Sequence, residues 1–173
     1  DDDYSMYIGN DPSSTIVADA TYNISIGKTA LDAITYADGN VAIGYDAMTA
    51  TTTGSYNVGI GLSSLSSNTT GGGNMGIGYE SLKSTTTASS NTAVGYGAMR
   101  NNATGASNTA IGRQALYSGS SATGNYNVAV GNSTLQSNTT GDNNIASGYK
   151  ALFANTTGDD NIGVGYNSLV TNT

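Results

Sequence analysis

Asn40-Val41-Ala42-Ile43-Gly44-Tyr45-Asp46-Ala47-Met48 decides the reading of this chain. It returns seventeen residues later as Asn57-Val58-Gly59-Ile60-Gly61-Leu62-Ser63-Ser64-Leu65. Working outward, the same phrase opens at Asn23, Asn40, Asn57, Asn74, Asn91, Asn108, Asn127, Asn144 and Asn161. Every interval is seventeen residues except the nineteen between Asn108 and Asn127. Taking the asparagine as position zero, position +4 is always glycine, from Gly27 to Gly165. Position +8 is always Leu or Met, from Leu31 to Leu169. A short fixed period with fixed apolar columns marks a repeat architecture, in which each unit buries its face only against its neighbours.

Positions +1 to +3 alternate. Position +1 is apolar in seven repeats, with Thr92 and Thr109 in the other two, and +3 is Ile or Val in eight, broken by Ser147. Position +2 is always Ala, Gly or Ser. Period-two alternation of β-branched residues predicts a strand. Glycine at +4 ends it, and the spacing predicts a second short strand over +7 to +9. A polar turn follows, such as Ser67-Asn68-Thr69-Thr70-Gly71, repeated as Ser137-Asn138-Thr139-Thr140-Gly141. The expected fold is all-β: a single-stranded parallel β-solenoid, or β-roll, of 17-residue coils. Residues 23–173 form the nine-repeat solenoid. Residues 1–22 form an irregular N-terminal cap or a degenerate first coil. Met6, Ile8 and Gly9 match +1, +3 and +4 if Ser5 stands at position zero, while Pro12, Ile16 and Val17 suggest irregularity.

The same alternation predicts that +1, +3 and +8 line the interior as apolar ladders. The small residues at +2 (Ala42, Gly59, Gly76, Ala93, Ala110, Ala129, Ala146, Gly163) would then form a smooth outer strip. That strip is either a subunit interface or a tight turn that excludes larger residues. The asparagine column is read as a structural ladder, each amide bonding the next as in stacked amyloid amides.

Composition narrows the function. The 173 residues carry 12 acids and 5 bases, a net charge of −7, with no basic stripe to neutralise phosphates; nucleic acid is not an expected partner. Cysteine and histidine are absent. Thiolate chemistry, the commonest general base and the commonest transition-metal ligand go with them. Ile, Leu, Val and Met number only 31, enough for a thin core along a rod. No apolar run approaches the roughly 20 residues that span a bilayer, so membrane insertion is not expected. Gly71-Gly72-Gly73-Asn74-Met75-Gly76 imitates a dinucleotide fingerprint, but the strand-helix context is missing and the repeat accounts for its glycines. No cofactor and no enzymatic activity are expected.

Three groups are candidates for contact chemistry. Asp142, Asp159 and Asp160 are weak calcium candidates on an oxygen-rich turn. Tyr45, Tyr79, Tyr96, Tyr149 and Tyr166 share position +5, while Tyr22, Tyr56 and Tyr126 directly precede their asparagines. These rings either cover the corner or stack on sugar rings of a host glycan or on a protein receptor. Six Asn-x-Ser/Thr sequons, at Asn23, Asn68, Asn102, Asn132, Asn138 and Asn155, follow from composition.

The phrases beginning at Asn40 and at Asn91 (Asn91-Thr92-Ala93-Val94-Gly95-Tyr96-Gly97-Ala98-Met99) resemble the head repeats of YadA-like trimeric autotransporter adhesins and similar repeats of phage tail-fibre proteins. The resemblance covers residues 23 to 173. It implies a homotrimer of left-handed parallel β-rolls, displayed extracellularly on a virion or cell surface and contacting a host. The chain departs from the adhesins in its longer, Thr-rich coil and in lacking a heptad stalk and an anchor barrel, which favours a viral fibre. Two alternatives stand beside it. The coil that stops at Thr173 without a polar cap suggests an extracellular filament, subunits stacking end to end. An ice-binding solenoid would need threonine on a flat strand face, whereas Thr51-Thr52-Thr53 and Thr85-Thr86-Thr87 lie in the turn.

Overall fold

A computed structural model describes residues 4–9, 20–119 and 122–171. Among these residues the chain forms one parallel sheet of ten three-residue strands, paired in sequence order. They are β1 (Met6–Ile8), β2 (Ile24–Ile26), β3 (Val41–Ile43), β4 (Val58–Ile60), β5 (Met75–Ile77), β6 (Thr92–Val94), β7 (Thr109–Ile111), β8 (Val128–Val130), β9 (Ile145–Ser147) and β10 (Ile162–Val164). Each pairs one coil apart without slip, Val41 opposite Val58 and Ile43 opposite Ile60. The chain is therefore a β-solenoid of 17-residue coils.

β1 joins the sheet in the same register, Met6 opposite Ile24. Ser5 stands at position zero, its hydroxyl accepting the Asn23 N–H at 3.0 Å. Pro12, Ile16 and Val17 lie outside the described residues. The nineteen-residue interval leaves the sheet undisturbed: Thr109 of β7 still faces Val128 of β8. The inserted pair near Ser120 and Ser121 lies outside the described residues.

The second strand, expected over +7 to +9, is a turn instead. Positions +6 and +8 both take positive φ, as in Asp46 (55°) and Met48 (53°). All nine +8 residues, from Leu31 to Leu169, have φ between 48° and 53°. This left-handed conformation costs an ordinary side chain on the order of 1 kcal/mol. Stacking offsets it, because the turns still bond coil to coil: the Met48 N–H donates to the Ser64 carbonyl at 2.9 Å, and the Leu82 N–H to the Ala98 carbonyl at 3.0 Å. The reversed backbone also points the +8 side chains inward, with Leu169 of the ninth coil alone exposed. Leu31, Met48, Leu65, Leu82, Leu135 and Leu152 are fully buried, each contributing about 2 kcal/mol.

The faces of the strand are the reverse of the sequence expectation. Position +2 points inward: Ser25, Ala42, Ala93, Ala110, Ala129 and Ala146 have no exposed surface. Positions +1 and +3 point outward, with Ile111, Val128, Val130, Ile145, Ile162 and Val164 all exposed. The cause is a narrow interior. A Cβ at Gly59 would lie 2.7 Å from Met48 Cγ, and one at Gly76 3.3 Å from Leu65 Cγ. The +8 side chains fill the space above +2, so only a very small residue fits. The small column is the packed core and not an outer strip or a subunit interface.

The corner glycines are required by close approach as well as by backbone angle. Gly44 has φ of 138°, and a Cβ there would stand 2.6 Å from the Gly61 carbonyl oxygen of the next coil.

Candidate functional site

The asparagine column closes its own bonding. Asn57 shows the unit: its N–H and its Nδ2 both donate to Asn40 Oδ1, at 2.9 and 3.2 Å. The second Nδ2 hydrogen goes to the Gly71 carbonyl of its own coil at 2.8 Å. Its Oδ1 then receives Asn74 in the same way, at 2.8 and 3.2 Å. Asn23, Asn40, Asn57, Asn91, Asn127 and Asn144 are fully buried, and Asn74 and Asn108 nearly so; Asn161 is half-buried. A saturated, buried amide has nothing left for a ligand, and its chemistry here is cross-linking of coils.

A second buried polar column stands at position +11, and the sequence reading missed it inside the Thr-rich turn. It holds Thr51, Asn68, Thr85, Asn102, Asn138 and Asn155, each at most 3% exposed. The amides of Asn68, Asn102 and Asn138 donate to the carbonyl three residues on, at 3.0, 2.7 and 2.9 Å. Where two asparagines follow in adjacent coils they also bond each other: Asn155 Nδ2 donates to Asn138 Oδ1 at 3.1 Å. Where threonine intervenes the column is broken, leaving Asn68 Oδ1 and Thr51 Oγ1 buried without partners. The available signal was Asn three residues before a turn glycine, in Asn68-Thr69-Thr70-Gly71, Asn138-Thr139-Thr140-Gly141 and Asn155-Thr156-Thr157-Gly158.

The carboxylates proposed for calcium serve the backbone. Asp142 Oδ1 accepts the Asn125 N–H at 2.6 Å, and Asp159 Oδ1 accepts the Asp142 N–H at 2.7 Å. Ser55 and Ser89 hydroxyls fill the equivalent role for Asp38 and Gly72. Asp160 is exposed, with φ of 57°. Among the described residues no group of three or more His, Cys, Asp or Glu is placed to hold a metal ion. Of the sequons, Asn23, Asn68, Asn102, Asn138 and Asn155 are buried; only Asn132 is partly exposed.

The +5 tyrosines lie outside. Tyr45, Tyr79, Tyr96, Tyr149 and Tyr166 are all exposed, and they pair where they are neighbours: Tyr79 with Tyr96 at 5.0 Å and Tyr149 with Tyr166 at 5.4 Å between ring centroids. Leu62, Arg113 and Asn132 interrupt the column. Tyr22, Tyr56 and Tyr126 are also exposed and hold φ near 60°. Cations gather on the same side. The Arg113 guanidinium lies 5.8 Å from the Tyr96 ring centre, and Lys150 Nζ lies 5.4 Å from that of Tyr149 and 5.1 Å from that of Phe153.

One ion cluster spans two coils. Glu80 pairs with Lys83 at 2.5 Å and with Arg100 at 2.6 Å, and the Arg100 guanidinium donates to the Tyr117 hydroxyl at 3.0 Å. Burial pushes the Glu80 carboxyl up, but hydrogen bonds and charge from Lys83 and Arg100 outweigh it and hold it below its ordinary value.

Threonine also forms outward columns. The +12 hydroxyls of Thr35, Thr52, Thr69 and Thr139 donate to the +12 carbonyl of the next coil, at 2.9 to 3.2 Å. Beside them Thr53, Thr70, Thr87, Thr104, Thr123, Thr140 and Thr157 are exposed, one in each of seven successive coils. The +1 and +3 aliphatics form an outward stripe along the sheet. Comparison of the chain with protein-family models, with curated proteins and with solved structures finds no match in any of the three.

Proposed function

We propose that this chain is a non-enzymatic structural module of an extracellular fibre or adhesin. It works as a stiff rod on a virion or cell surface, associates as a homotrimer, and presents a repetitive surface for host attachment. The observation that carries the reading is the outward aliphatic stripe. Exposed Ile111, Val128, Val130, Ile145, Ile162 and Val164 continue the line set by half-buried Val41, Ile43, Val58 and Ile60. A contiguous apolar strip on a soluble rod marks a surface that another protein covers, and a second and third copy of the same rod offer a strip of the same pitch. The proposed subunit contact is thus the +1 and +3 columns. The lack of histidine and cysteine in the sequence and the backbone role of Asp142 and Asp159 support the non-enzymatic part.

Solution mass by light scattering across a concentration series tests this. A mass of three chains, constant with dilution, is the expected result. A single-chain mass would overturn the association, and mass that grows with concentration would point to end-to-end filaments instead.

One observation favours a second reading, ice binding. The exposed threonines from Thr53 to Thr157 form a line, one per coil, of the kind an ordered water lattice could match. A thermal-hysteresis assay separates the two, since the fibre reading expects no depression of the freezing point below the melting point.

A further inference from the structure

The +5 column carries a gap at Asn132. Its order from Tyr79 onward is Tyr79, Tyr96, Arg113, Asn132, Tyr149, Tyr166, one residue per coil. Register is held by the backbone: the Ser133 N–H donates to the Arg113 carbonyl at 2.9 Å and the Lys150 N–H to the Asn132 carbonyl at 3.0 Å. Stacked coils are about 4.8 Å apart, which is a ring-stacking distance, as the Tyr79–Tyr96 pair at 5.0 Å demonstrates. A ring at one level of the column therefore stacks on a ring at the next. Tyr149 is covered on one side by Tyr166. The next level on the other side holds the short Asn132, Lys150 Nζ lies 5.4 Å from the Tyr149 ring centre, and one level further, roughly 10 Å from Tyr149, stands Arg113.

The strand separates the bases of these coils from their acids. Arg113 stands at +5 and Lys150 at +6, and among the described residues neither forms an ion pair. The carboxylates of the three coils from Asn108 to Asp160 are Asp142, Asp159 and Asp160, each within two residues before the next ladder asparagine. Asp142 there accepts the Asn125 N–H and Asp159 the Asp142 N–H. Asn132 Oδ1 accepts the Ser133 hydroxyl at 2.8 Å, which leaves the Nδ2 hydrogens for an acceptor from outside.

We propose that this gap binds one carboxylated sugar unit of an acidic glycan. The pyranose occupies the level of Asn132, where the column lacks a ring. Its C–H face stacks on Tyr149, a hydroxyl accepts from Asn132 Nδ2, and its carboxylate meets the Arg113 guanidinium. A guanidinium matches a carboxylate in a two-point fork, and no acidic residue stands at +5 or +6 in these three coils. A neutral sugar would use the ring alone and bind more weakly. The inference rests on the reading that the rod presents a host-contact surface, but its test is independent of oligomeric state.

The test titrates the full chain with trigalacturonic acid at low ionic strength, followed by tyrosine fluorescence and calorimetry. Maltotriose is the neutral comparator. R113A removes the charge and N132F fills the missing ring level; K28A removes an exposed base elsewhere. The expected result is saturable binding of trigalacturonic acid, weakened about tenfold or more by R113A and by N132F. K28A leaves it within about twofold, and maltotriose binds more weakly throughout. Unchanged circular dichroism in both gap variants confirms that the fold is intact. Absence of binding by the parent chain, equal binding of maltotriose, or equal losses in R113A and K28A would each overturn the proposal. A single-chain mass by scattering, with these affinities as expected, would sink the trimer reading and leave the sugar site standing.

Discussion

Asn74 Oδ1 accepts two hydrogen bonds from Asn91, one from its N–H at 3.0 Å and one from its Nδ2 at 3.2 Å. Asn74 in turn gives its own Nδ2 hydrogens to Asn57 Oδ1 and to the Ala88 carbonyl at 2.8 Å. No other side chain of this length supplies one acceptor and two donors in that plane. Asn74→Ala strands the Asn91 donors and the Ala88 carbonyl in a dry interior and is expected to cost about 2–4 kcal/mol. Asn74→Asp keeps the acceptor, loses both donors and buries a charge, so it should cost at least as much. Urea melts followed by circular dichroism measure both; an aspartate variant as stable as the parent would refute the ladder's donor role.

The inward facing of +2 has a paired test. Ala93→Leu places a large side chain in the filled interior and should lower stability by about 1–3 kcal/mol. Thr92→Val, one residue away but outward, should change it by less than about 0.5 kcal/mol. If the strand faced the other way, the leucine would be the tolerated change.

Ile111→Asp combined with Val130→Asp puts two charges on the exposed aliphatic stripe without touching the interior. On the trimer proposed above, the variant should keep its circular dichroism while scattering falls to the mass of a single chain. An unchanged trimer would move the subunit contact elsewhere.

Thr85→Asn would join Asn68 to Asn102 through the broken +11 column. The new Nδ2 can donate to Asn68 Oδ1, as Asn155 does to Asn138. Satisfying that buried acceptor should raise stability by about 1 kcal/mol, read as a higher urea midpoint.

Glu80 sets an acid response. Its carboxyl is held below its ordinary value in the folded rod, so the unfolded chain takes up that proton first as pH falls. The ion cluster's contribution is therefore complete above the unfolded value, about 4.3, and disappears as pH falls through the lower folded value. Glu80→Gln should lower the melting temperature slightly at neutral pH and flatten its fall over that window, so that variant and parent converge in acid. An identical acid profile in the variant would remove Glu80 from the account.

The strand, its period and its ends were legible in Val41-Ala42-Ile43-Gly44, because alternation and a corner glycine are local properties. Sidedness was not, because β-branched residues read as core and Ala42 reads as filler. The inference fails in a tube this narrow, where size and not hydropathy decides which residue fits against Met48. The left-handed turn at Met48 was hidden because leucine and methionine carry no preference for positive φ; only the stacked neighbours impose it. Asn57 advertised its ladder by an unbroken period. Asn68 did not, since Thr51 and Thr85 alternate with it and the surrounding threonines made the segment look like an ordinary solvated turn. The tyrosine column was visible at +5, but which rings meet depended on the residues that interrupt it, Leu62, Arg113 and Asn132.

The nineteen-residue interval between Asn108 and Asn127 leaves β7 and β8 paired without slip. Each coil therefore presents its neighbours with the same docking face whatever its own contour length. A gene built this way can gain, lose or lengthen a unit by recombination between its own copies, and the products still fit. Solenoid length and the content of one corner can then change separately, so a new residue at the corner need not disturb the stacking of the coils.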